Sequence, residues 1–134
     1  MISGRVLDVS ALTDYAIGRV YARALVGAAQ RSGALVLAVP AAALVAARGQ
    51  LSESGRAELD QLVALAPVVL DGLTADVAAR SGDLLARARR RPAADAVAVA
   101  QVAFSARVRA WPVVTSDSAP LLALDGALEI DALP

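Results

Sequence analysis

A chain of 134 residues carrying 13 basic and 13 acidic side chains has the length of one domain and no net charge to draw it as a whole to polyanions. It contains no Cys, His, Lys or Asn, which excludes disulfides, zinc-thiolate sites, imidazole bases and Ser-His-Asp triads. Hydrophobic residues reach 57% and aromatics only 3%, so the core must be built from Ala, Val and Leu.

No apolar run approaches the roughly 20 residues of a membrane span. Met1-Ile-Ser-Gly-Arg5 enters a strand-like run without a signal-peptide layout. A soluble, cytoplasmic chain with no membrane partner is expected.

In chain order, Arg5-Val-Leu-Asp8 reads as a short buried strand ending in an acid, with Ser10 placed to cap a helix from about Ala11. From Gly18 to Arg31, Val20, Ala24, Leu25 and Ala28 recur at helical spacing, and Gly33 ends that helix. Leu35-Val-Leu-Ala-Val39 is a second apolar strand, closed by Pro40 at an expected first helical position before the acid-free helix Ala41–Arg48. Leu51-Ser-Glu-Ser-Gly55 reads as a polar linker, and Ser54 to Ala66 as a helix with Leu59, Leu62 and Val63 on one face.

Pro67-Val-Val-Leu70 is a third strand, with Asp71-Gly72 as its turn. A further helix opens at Thr74 and runs into Arg87-Ala-Arg-Arg-Arg91, where Pro92 interrupts it. The spacing predicts a helix over Ala93–Arg109 with Asp95, Val99, Val102 and Ala106 on its inward stripe. Trp111–Thr115 is a fourth strand, Ala119–Leu124 a short helix, and Ala127–Ile130 a fifth strand at the edge. Alternating strands and helices imply an α/β protein with a mostly parallel sheet of four to five strands, covered on both faces.

Three acids sit at comparable element ends. Asp8 ends the first run, Asp95 follows Pro92, and Asp117 ends Trp111-Pro-Val-Val-Thr-Ser-Asp117. Acids at the carboxyl ends of parallel strands share a crevice, and carboxylates brought together repel unless a cation or a proton compensates. Oxygen-only donors select Mg²⁺ or Mn²⁺, which suits phosphodiester hydrolysis. Each acid also has a purely structural alternative, Asp8 as a turn residue, Asp95 as a charge in the first helical turn, and Asp117 with Ser116 or Ser118 as a helix cap. Thr115 and Ser10, each two residues from an acid, either orient a water or phosphate or serve packing and capping. Arg87, Arg89, Arg90 and Arg91 either bind an RNA backbone or form a solvated helix end.

Val6-Leu-Asp8-Val-Ser-Ala-Leu12, Val39-Pro40, Ala94-Asp95-Ala96 and Trp111-Pro-Val-Val-Thr-Ser-Asp117 occur in the order and spacing that resemble PIN-domain ribonucleases, among them the VapC-like toxins of bacterial toxin–antitoxin pairs. The resemblance spans nearly the whole chain. It implies a single domain over residues 1–134 with a three-layer α/β/α sandwich. Asp8, Asp95 and Asp117 would be metal-binding catalytic acids for Mg²⁺ or Mn²⁺, and Thr115 would be the catalytic hydroxyl before the last acid. It further implies an RNA substrate, a VapB-like antitoxin and a homodimer, for which the Ala-rich helices Gly18–Arg31 and Ala41–Arg48 are the candidate contacts.

One position departs from the pattern. Where such ribonucleases usually carry a Glu, about six residues past the proline, this chain has Ala46 beside Ala47. Two further readings therefore stand beside the nuclease: a catalytically weakened PIN-like module that binds protein or RNA, and a plain α/β interaction domain whose acids are caps.

Overall fold

Apolar runs without alternation suit strands buried on both faces. In the computed structural model, which describes residues 3–134, such runs become β1 (Ser3–Leu7), β2 (Leu35–Pro40), β3 (Val68–Asp71) and β4 (Val113–Thr115), joined by β5 (Ile130–Ala132). All pairings are parallel, in the order β3-β2-β1-β4-β5. The chain thus winds outward from β1 through β2 to β3, then returns to place β4 on the other side of β1, with Val6 opposite Val113. That reversal between β1 and β4 is the topological switch point, where the carboxyl ends of strands leave a crevice.

The helices are α1 (Val9–Ala16), α2 (Val20–Ser32), α3 (Ala41–Gln50), α4 (Glu53–Val63), α5 (Ala75–Arg87), α6 (Ala96–Arg109) and α7 (Ala119–Leu124). Together with the sheet they form a three-layer α/β/α sandwich. Val6, Leu37, Val39, Val113 and Val114 fill the sheet's interior, against Leu12 of α1 and Leu59 and Leu62 of α4. Fully buried Ala43, Ala47 and Ala103 let α3 and α6 pack closely. Among the described residues, no helix is long and apolar enough to cross a membrane.

Several boundaries move for identifiable reasons. The first helix begins at Val9 rather than near Ala11, because Asp8, not Ser10, is its cap and accepts the Ala11 N–H. Gly18 takes a left-handed φ of 85°, so the second helix starts at Val20. Pro40 is the last residue of β2 and precedes α3 in an extended conformation, rather than opening the helix. Ser52 accepts the Gly55 N–H and starts α4 at Glu53, which shrinks the expected linker.

After Pro92, the chain stays irregular through Asp95, whose φ of 52° is left-handed, and α6 begins only at Ala96. Asp95 therefore lies before the helix and exposed, not on its inward stripe. Asp tolerates the left-handed region better than most residues, and a left-handed residue cannot continue a right-handed helix, so the turn at Asp95 keeps the helix from starting earlier. At the chain's end the Asp125 side chain accepts the Ala127 N–H in a turn, which delays the last strand to Ile130.

Gly4 is buried on β1 beneath the Trp111 ring, and a Cβ there would overlap the ring carbons. Gly4→Ala should therefore cost about 2 kcal/mol through forced displacement of the ring. Urea unfolding would measure the loss, and an unchanged midpoint would refute the tight contact.

Candidate active site

β1 and β4 deliver their carboxyl ends side by side, and the local chemistry at each tip fixes an acid. At the β1 tip, Asp8 Oδ1 accepts the Ala11 N–H at 2.9 Å and the Ser10 hydroxyl at 2.6 Å. The Ser10 oxygen in turn accepts the Ser116 N–H at 2.9 Å, so one hydroxyl ties Asp8 to the segment after β4. Burial pushes the Asp8 carboxyl above its ordinary range, against the hydroxyls of Ser10 and Thr115 and the amides of Ala11 and Ser10, which pull it down.

At the β4 tip, buried Thr115 accepts the Asp117 N–H through Oγ1 at 3.0 Å. Helix α7 follows from Ser118 with no side-chain cap, so neither Asp117 nor its neighbouring hydroxyls serve the capping role that the sequence left open. The same holds at α6. Asp95 precedes the helix without capping it through its side chain.

Asp8, Asp95 and Asp117 all line one cavity of about 380 Å³, together with Ser10, Thr13 and Gln50. None of the three acids takes part in the ion pairs formed among the described residues. Among those residues, no three acids gather closely enough to hold a single ion between them. The donor set is all oxygen and carries unneutralised charge, with Asp8 desolvated, so in donor chemistry it fits a hard divalent cation such as Mg²⁺ or Mn²⁺.

Ala46 is half-buried on α3, and Gln50, one turn further along, is the α3 side chain that reaches the cavity. Gln50 went unremarked in the sequence, although its four-residue spacing from Ala46 puts both on one helix face. A second unremarked residue, Gln101, is fully buried on α6. Its Oε1 accepts the Ala42 N–H at 2.8 Å, a bond that Pro40 cannot provide, and its Nε2 donates to the Asp71 carbonyl at 2.9 Å. Gln101 thereby fixes the start of α3 against the end of β3. A lone amide on an otherwise apolar helix stretch was its only signal.

An all-parallel five-stranded sheet, sandwiched by helices and with acids around the switch-point crevice, defines a PIN-like α/β/α protein. No protein-family model and no curated protein matches the sequence. Solved structures do match. VapC20 from Mycobacterium tuberculosis, a toxin that cleaves the sarcin-ricin loop, aligns with a TM-score of 0.66 and 16% identity over 89% of this chain and 94% of its own. VapBC2 from Rickettsia felis, bound to a DNA fragment from its promoter, aligns at 0.65 and 14% identity over 98% and 99%. PAE2754 from Pyrobaculum aerophilum aligns at 0.55 and 18% identity over 97% and 92%. The chain has the VapC-like PIN-domain fold.

Proposed function

We propose that this chain is a metal-dependent endoribonuclease of the VapC type, acting as one PIN-like domain over residues 1–134. The observation that carries the reading is the set of three carboxylates without basic partners around one cavity at the switch point. Asp8, Asp95 and Asp117 would supply oxygen ligands to Mg²⁺ or Mn²⁺ in this cavity, directly or through bound water, since the three are not close enough to ring one ion directly. When bound, the ion supplies Lewis-acid activation of a phosphodiester and a lowered pKa for attacking water.

The chain's own residues prepare that chemistry. Ser10 donates to Asp8 Oδ1 and fixes the direction of its second oxygen. Thr115 holds the backbone of Asp117 at the end of β4, and Ser10 holds that of Ser116, so both strand tips keep their relative placement. Desolvation of Asp8 strengthens its preference for any cation that enters.

The partners in this reading are an RNA substrate, a VapB-like antitoxin that silences the toxin, and a second copy of the chain. The VapBC2 neighbour motivates the antitoxin. Exposed Ile17, Val20 and Val45, at 60%, 83% and 73%, favour the self-contact on the end of α1, the start of α2 and the middle of α3. Ala46, in place of a fourth acid, favours the second reading, a PIN-like module with weakened turnover that acts by binding.

The test is incubation of the purified chain with RNA in Mn²⁺, with EDTA and Asp117→Asn as controls. Cleavage that needs Mn²⁺ and is lost in the variant supports the nuclease. RNA or protein binding without cleavage supports the weakened module, and neither activity overturns both.

A further inference from the structure

The arginine run after α5 divides in the structure. Arg87 closes α5, where its charge complements the helix dipole, and it faces a separate groove with Arg80, Asp83 and Phe104. The helix stops there, so Arg89, Arg90 and Arg91 stand on irregular chain leading to Pro92, all three exposed. No carboxylate pairs with any of them among the described residues. Arg90 and Arg91 line a groove of about 320 Å³ with Pro92, Ala93, Asp117 and Ala119. Ala93, Asp117 and Pro120 line both this groove and the acid cavity, so the two adjoin, with Asp117 at their junction.

Opposite charges therefore lie side by side without neutralising one another. In a chain of zero net charge, this separation is poorly compensated until each patch meets a ligand of its opposite sign. A cation at the acids and a polyanion along the arginines satisfy both at once. Guanidinium forks match phosphate oxygens, whereas the Ala and Pro walls offer no aromatic face for stacking a base. The chemistry reads a backbone, not a sequence.

We infer that the Arg90–Arg91 groove is a subsite for the phosphate backbone of single-stranded RNA next to the bond held at the acid cavity. This inference rests on the nuclease reading. It adds that Arg90 and Arg91 are binding residues, that they contribute sequence-independent affinity, and that the strand leaves the acids past Asp117 toward the α5–α6 connection.

The experiment is fluorescence anisotropy with a labelled oligouridylate in EDTA, across a salt series. It compares the wild type, Arg90→Gln/Arg91→Gln, Arg90→Lys/Arg91→Lys, and Arg31→Gln, the last an exposed arginine at the end of α2. The slope of log affinity against log salt should fall by about 1.4 in the double Gln variant, at about 0.7 per lost phosphate contact. The double Lys variant should regain the slope, and Arg31→Gln should match wild type. If the double variant loses its helical circular dichroism, the single Gln substitutions carry the test, each with about half the change.

An unchanged slope and affinity in folded variants overturns the subsite, as does a wild type that binds no oligouridylate. Displacement of poly-L-glutamate, with RNA binding unaffected, assigns the groove to an acidic protein segment and also overturns it. The nuclease reading fails separately, by absence of Mn²⁺-dependent cleavage in the wild type.

Discussion

Asp8→Asn should raise the melting temperature of the cation-free protein at neutral pH while removing both its stabilisation by Mn²⁺ and its cleavage of RNA. The Asp8 carboxyl is desolvated and lacks a basic partner, so burial lifts its pKa in the folded state. A carboxyl raised in this way binds protons in the folded state where the unfolded chain has already released them. Stability from Asp8 is therefore fully present below the ordinary carboxylate range and is lost as pH rises through the elevated folded value. At neutral pH its charge is a net cost in the absence of a cation.

An asparagine keeps an oxygen for the Ala11 N–H and the Ser10 hydroxyl but carries no charge. The melting temperature should therefore rise, each kcal/mol of relief corresponding to roughly 3–5 °C for a domain of this length. Cleavage should fall by at least about a hundredfold, or roughly 2.7 kcal/mol of transition-state stabilisation. Thermal melts in EDTA from pH 5 to 8 would check the first part, and the gap between variant and wild type should narrow toward low pH. A variant less stable than wild type at pH 7 in EDTA would show that the charge of Asp8 contributes more to capping α1 than its desolvation costs, and would overturn this prediction.

The central strands were readable because burial on both faces writes itself into contiguous residues: Leu35 to Val39 and Val113 to Val114 leave no polar side to misplace. α7 was readable for a similar reason, since its signals lie within a few residues. Asp95 was not. Its placement before α6 depends on a left-handed backbone that helical spacing does not encode, and the apolar residues after it extend a regular stripe backwards past the true start. Ser10 illustrates the same limit. Its distance from Asp8 is local and visible, but its bond to the Ser116 amide spans 106 residues of sequence. Gln50 and Gln101 act through neighbours that only the assembled sheet brings to them. The candidate acids were legible as residues at element ends, whereas their shared cavity depends on β1 and β4 becoming neighbours.

Ala46→Glu should tighten Mn²⁺ binding and lower the stability of the cation-free protein. Ala46 is half-buried on α3 and shares a helix face with Gln50, which already lines the cavity. The helix start is fixed by Gln101 through the Ala42 amide, so a longer side chain at position 46 meets an anchored backbone. Glu is also a good helix former, so propensity does not oppose the change. A fourth carboxylate beside Asp8, Asp95 and Asp117 adds repulsion without a cation and attraction with one. Affinity should rise about tenfold, or about 1.4 kcal/mol, and the cation-free protein should lose on the order of 1 kcal/mol. Calorimetric titration with Mn²⁺ and melts in EDTA would read the two effects, with Ala46→Gln separating charge from bulk. Combination with Asp117→Asn should return the affinity toward that of the wild type if both acids serve one ion. If Ala46→Glu stays folded, loses no stability in EDTA and binds Mn²⁺ no more tightly, position 46 does not look into the acid cavity, and the weakened-site account of this chain fails.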